Sequence, residues 1–94
     1  MKKINEINER RKLKEDLACE KLKHISSVLK HKYSINNTYE INKNEYVILI
    51  AEEDVFIRHA YNLTRLIELD VDIETRIIRR AFCMYVAEIM NGVI

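Results

Sequence analysis

Proline is absent from the 94 residues, and glycine occurs once, as Gly92. Inside a helix proline costs roughly 3 kcal/mol and glycine roughly 1, so nothing from Met1 to Asn91 opposes long helices. Cysteine is scarce: Cys19 and Cys83 lie far apart, and the opening MKKINEINERRKLKED has no apolar core of a secretory signal. A cytoplasmic address with reduced thiols is expected, without a disulfide. Two lone cysteines make no zinc site without histidines at ligand spacing. His24 and His31 are seven positions apart, too far along a helix to share a metal, and His59 has no ligand-type residue one turn away.

Long apolar runs are missing as well. The charge-free stretch Ala81 to Ala87 ends at Glu88, far short of the roughly 20 residues a membrane span requires. No glycine-rich loop cradles a phosphate, and no nucleophile elbow or dinucleotide fingerprint occurs. The expectation is a protein that is not an enzyme and needs no cofactor or metal.

Net charge is +1, which exerts no strong pull on nucleic acid or membrane. The near-neutrality hides an asymmetry. Residues 1–33 carry a net +5 and residues 34–94 a net −4. Halves of opposite sign attract each other, within one chain or between copies. Apolar residues make up 48% and charged residues 33%, which excludes disorder. The length fits one domain over 1–94, near the size at which a single core stabilises only marginally. Pairing with a second copy would relieve that shortage. The wealth of isoleucine, asparagine, lysine and tyrosine follows AT-rich codons, as in a low-GC bacterium or its phage.

Three helical segments are expected. The first covers 1–33 as a basic amphipathic helix, with Ile4, Ile7, Ala18, Leu22, Ile25, Leu29 and Tyr33 on one stripe. Arg11 and Lys14 interrupt its heptad seam, so a long coiled coil is disfavoured. Its first half is mostly charged and projects from the core or frays. The asparagine-rich SINNTYEIN, residues 34–42, reads as a loop. Asn42 with Glu45 then resembles a capping box, and Ile41 with Tyr46 a hydrophobic staple, starting a helix over 43–69. A competing reading folds TYEI and EYVILI into a β-hairpin turning at Asn42–Asn44, since Val47, Ile48 and Ile50 are β-branched. The helix is preferred, because an isolated hairpin has little stability of its own. Asp72 caps a third helix over 72–91, with Glu74 in its first turn and Asn91–Gly92 closing it. The expected fold class is all-α: three long helices in an antiparallel bundle, oligomeric.

The last helix carries the strongest clue. AFCMYVAEIM is apolar around its whole circumference apart from Glu88, so it must be covered on more than one side. Phe82, Tyr85, Val86, Ile89 and Met90 are therefore the expected interface of a homo-oligomer, most simply a two-fold dimer. Arg76, Arg79 and Arg80 precede them and could grip a phosphate or carboxylate; pairing with Asp72 or with Glu52, Glu53 and Asp54 is the simpler explanation. On the first helix Lys3, Arg10, Lys14, Lys21 and Lys32 form a basic strip beside an acidic one of Glu6, Glu9, Asp16 and Glu20. No aromatic is interleaved for base stacking. Two functions follow as expectations. The favoured one is a small protein-interaction module or regulator, such as a phage- or mobile-element-encoded inhibitor, binding a host protein through Arg10, Arg11 and Lys14. The alternative is a nucleic-acid-binding regulator using the first helix and the arginine trio.

Overall fold

The computed structural model describes residues 2–52 and 55–92, with side chains from Glu9 onward. It is α+β rather than all-α: helices α1 (Lys2–His31), α2 (Leu63–Glu68) and α3 (Val71–Met90) accompany strands β1 (Asn37–Asn42), β2 (Glu45–Glu52) and β3 (Val55–Tyr61). The strands form one antiparallel sheet in the order β1-β2-β3. This overturns the bundle of three long helices. In place of a helix over 43–69 stand two strands and a short helix.

The signals for that helix belong to a hairpin. Asn42 and Glu45 close the two-residue loop as cross-strand partners, and Ile41 faces Tyr46 in the next pair. A capping box and a staple bring together residues three and five positions apart; so does a tight hairpin. Lys43 takes a left-handed φ of 44° to make the turn. The competing hairpin reading becomes stable because a third strand and a helix join it, supplying the packing a lone hairpin lacks. β3 alternates in burial, with Val55, Ile57 and Tyr61 inward and Phe56, Arg58 and Ala60 outward.

The loop expected over 34–42 is shorter than the sequence implied. Ser34 reverses the chain at φ 56°, and the Ile35 N–H donates to the Leu29 carbonyl at 2.8 Å. β1 begins three residues later. Asn37 ties it to α1: its amide donates to the Ser26 and Ile35 carbonyls at 3.1 and 3.0 Å, while the Ser26 hydroxyl donates to its Oδ1 at 2.6 Å. All of these bonds are buried, where an unsatisfied amide would cost most.

The core lies between the sheet and the helices. Ala18, Leu22, Ile25 and Leu29 of α1 meet Tyr46, Ile48 and Ile50 of β2 and the inward residues of β3, joined by Leu66 and Ile78. Asn62 caps α2 by accepting from the Arg65 N–H at 2.8 Å. Lys21 of α1 donates to the carbonyls of Ile67 and Leu69, placing a cation at the negative end of α2. Asp70, not the expected Asp72, caps α3 by accepting from the Ile73 N–H at 3.0 Å. Gly92, at φ 71°, donates to the Ile89 carbonyl and ends that helix.

α1 and α3 run in the same direction but staggered. Lys21 lies at the start of α3, through Leu69, and Tyr33 lies under Arg79 in its middle. The first half of α1 therefore extends past one end of the core, while α3 runs on towards the other end with Phe82, Val86 and Ile89 still packed against the core. The molecule is accordingly elongated, 61 × 22 × 17 Å.

Candidate functional site: the outward faces of two helices

On α1, the core-facing stripe stops at Ala18. Before it, Leu13 is 68% and Leu17 48% exposed, both on the side turned away from the sheet. Their neighbours around the helix are Arg10 and Lys14 on one flank and Glu9 and Asp16 on the other, all exposed. An apolar ridge thus runs between a basic and an acidic border. Arg10, Arg11 and Lys14 also line a surface depression with Leu63. Arg11 is partly engaged within the chain, donating to Glu15 at 3.2 Å. The other expected basic residues divide: Lys21 is consumed at the end of α2, and the side chains of Lys3, Ile4, Glu6 and Ile7 lie outside the described residues.

On α3, Phe82, Val86 and Ile89 are half-buried against the chain's own core, while Tyr85 and Met90 are exposed. The expected interface is thereby split between two sides. The outward side carries Ile73, Ile77 and Met84, which are 58, 54 and 58% exposed. These three were not singled out from sequence. Their signal was present: positions 73, 77 and 84 repeat at helical spacing, displaced by two residues from the core-facing set.

The arginine trio separates as well. Arg79 lies 5.1 Å from the centroid of the Tyr33 ring, a cation–π contact that fixes α3 against the end of α1. Arg76 and Arg80 are exposed, one turn apart on the outward side. Among the described residues the ion pairs are Arg11–Glu15, Lys23–Glu20 and Arg58–Glu45, so neither pairs with Asp72. Glu53 and Asp54 lie outside the described residues; Glu52 accepts from the Asn36 N–H at 3.1 Å.

One polar cluster is buried where β3 meets α3. The Tyr61 hydroxyl donates to Glu74 Oε2 at 2.9 Å. Burial, then the charge and hydrogen bond of Glu74, push the Tyr61 phenol well above its ordinary range. It is held protonated, as a donor. His59, on the same face of β3, has a buried Nε2 without a partner, and burial lowers its pKa against an opposing pull from Glu74. Tyr46 is likewise shifted upward, first by burial. The Tyr61–Glu74 bond joins the sheet to α3, with the tyrosine held as donor and the half-buried His59 shifted towards its neutral form beside it.

Among the described residues no group of three or more His, Cys, Asp or Glu could hold a metal. His24 and His31 are exposed on α1, and Cys19 and Cys83 are free thiols. No helix of the described residues is long and apolar enough to cross a membrane. The outer face of the sheet is also uncovered in part, with Phe56 exposed beside Leu49 and Ala51. No known protein family matches the sequence, and no curated protein or solved structure matches the chain.

Proposed function

We propose that this protein is a non-enzymatic interaction module that binds another protein through the outward face of the first half of α1 and associates with itself through α3. The observation that carries the first part is Leu13 and Leu17. They are exposed on a helix whose next turns bury Ala18, Leu22, Ile25 and Leu29 completely. Their outward position contributes little to this fold. A partner helix or groove covering them would gain apolar burial, while Arg10, Arg11 and Lys14 met acidic groups at the rim. Small size and the lack of reaction chemistry suit an inhibitor carried by a phage or mobile element and aimed at a host protein. The two unpaired thiols suit a reducing compartment such as the cytoplasm.

Affinity capture from the native host tests this reading. The full chain should retain a protein at both low and high salt, and the Leu13→Glu/Leu17→Glu variant should lose it. Recovery of nucleic acid instead, with affinity falling steeply as salt rises, would replace the reading by phosphate binding through Arg10, Lys14, Arg76 and Arg80.

A further inference from the structure

We infer that the outward side of α3 is a two-fold seam that takes a second copy of this chain, helix against helix and antiparallel. The inference rests on the reading of α3 as the self-association element and specifies its face, its direction and its central pair.

α3 carries two stripes, back to back. Val71, Thr75, Ile78, Phe82 and Ile89 point at the core, where Thr75 and Ile78 are fully buried. Two residues further along, Ile73, Ile77, Arg80, Met84, Ala87 and Asn91 repeat the steps of four and three that define a coiled-coil seam. All six are exposed. The helix that reads as apolar around its circumference thus has one seam filled by its own chain and one open.

Charge selects the occupant and its direction. On the open side the first half of the helix is basic, with Arg76 and Arg80, and the second half is acidic, with Glu88. Parallel, in-register pairing would stack Arg80 on Arg80 of the second copy and leave Glu88 beside its own twin. Antiparallel pairing about a two-fold axis near position 82 sets Arg80 against Met84 of the second copy. The Glu88 of that copy lies one turn further on, within reach of the guanidinium. Ile77 then meets Ala87, whose small side chain lets the backbones approach. The chain is thus complementary to its own reversed copy along this face. A cationic residue in each of the two central layers keeps the pairing weak, in the range of roughly 10–100 µM.

Sedimentation equilibrium of the full chain between about 1 and 500 µM tests the seam. The expected result is a monomer–dimer equilibrium that Ile77→Glu/Met84→Glu abolishes with an unchanged far-ultraviolet circular dichroism spectrum, since both side chains are exposed. Arg80→Leu should tighten the dimer about tenfold, and Glu88→Arg should weaken it by a similar factor. Cys83 flanks the axis, so a short bismaleimide should join Cys83 to Cys83 of the second copy, as peptide mapping would show. A dimer untouched by Ile77→Glu/Met84→Glu overturns the seam while leaving self-association through another face of α3 standing. A chain that stays monomeric throughout the range overturns both.

Discussion

The two halves of α1 differ in what their apolar side chains do. From Ala18 to Leu29 the core-facing residues are fully buried against the sheet, α2 and α3, and Lys21 and Ser26 add polar ties to Leu69 and Asn37. From Glu9 to Leu17 the same continuous helix has its leucines in water. Helix propensity is similar in both halves, since neither contains glycine or proline. Tertiary packing, not propensity, divides a structural half from an available one. α3 shows the same division across its thickness rather than along its length: one stripe serves the fold and the opposite stripe is free.

Single truncations should break the symmetry between the halves most strongly. Leu22→Ala or Ile25→Ala removes packed methylenes from the core and is expected to cost about 2–5 kcal/mol in denaturant unfolding. Leu13→Ala, the same chemistry two or three turns earlier, should stay within about 0.5 kcal/mol of wild type. A comparable loss at Leu13 would mean that the two halves are not different. Next in size is Asn37→Ala, which strips three buried hydrogen bonds, two to Ser26 of α1 and one to the Ile35 carbonyl before β1. It should cost about 1–3 kcal/mol, read by the same unfolding titration.

A smaller effect is expected from acid. The folded pKa of His59 lies below its ordinary value of 6.5 because burial disfavours the cation. Above that value the residue is neutral in both states and costs nothing. As pH falls below 6.5 the unfolded chain takes up a proton that the folded chain refuses, so stability declines with falling pH. Unfolding titrations stepped downward from neutral pH should show this decline, and His59→Gln should flatten it. A small gain is expected at the hairpin: Lys43→Gly relieves a left-handed residue but adds freedom to the unfolded chain, for a net gain of up to about 1 kcal/mol in thermal unfolding.

The helical ends of the chain were legible in the sequence, because the absence of breakers and the stripe from Ala18 to Leu29 leave few alternatives. The centre was not, for a specific reason. Tyr46 to Ile50 is a continuous apolar run, and such a run fits a buried helix or a central strand equally well by periodicity. The local signals were degenerate too, since Asn42–Glu45 and Ile41–Tyr46 can be helix cap and staple or consecutive hairpin pairs. The period-two burial of Val55, Ile57 and Tyr61 distinguishes strand from helix, but Phe56 and Ala60 mask the alternation in the sequence by being apolar on the outward face. At the candidate site, Arg10, Arg11 and Lys14 were visible as charge, and Tyr85 and Met90 as excess apolar surface. Ile73 and Ile77 are hard to read from the sequence because the dense apolar run after Ala81 masks a seam that begins eight residues earlier. Asp70 is equally hard to tell as the cap: Asp72 offers the same carboxylate two positions on, and only the fold decides which backbone N–H groups are free.

The central claim is that the first half of α1 is available for binding rather than required for folding, and thermal unfolding of a chain lacking residues 1–14 tests it most directly. About 1 kcal/mol shifts the melting temperature of a domain this size by roughly 4–8 °C. The account predicts a shift of less than about 4 °C, with the circular dichroism per residue consistent with loss of α1's first turns alone. A drop of about 10 °C or more would contradict it, placing the segment in the packed structure after all.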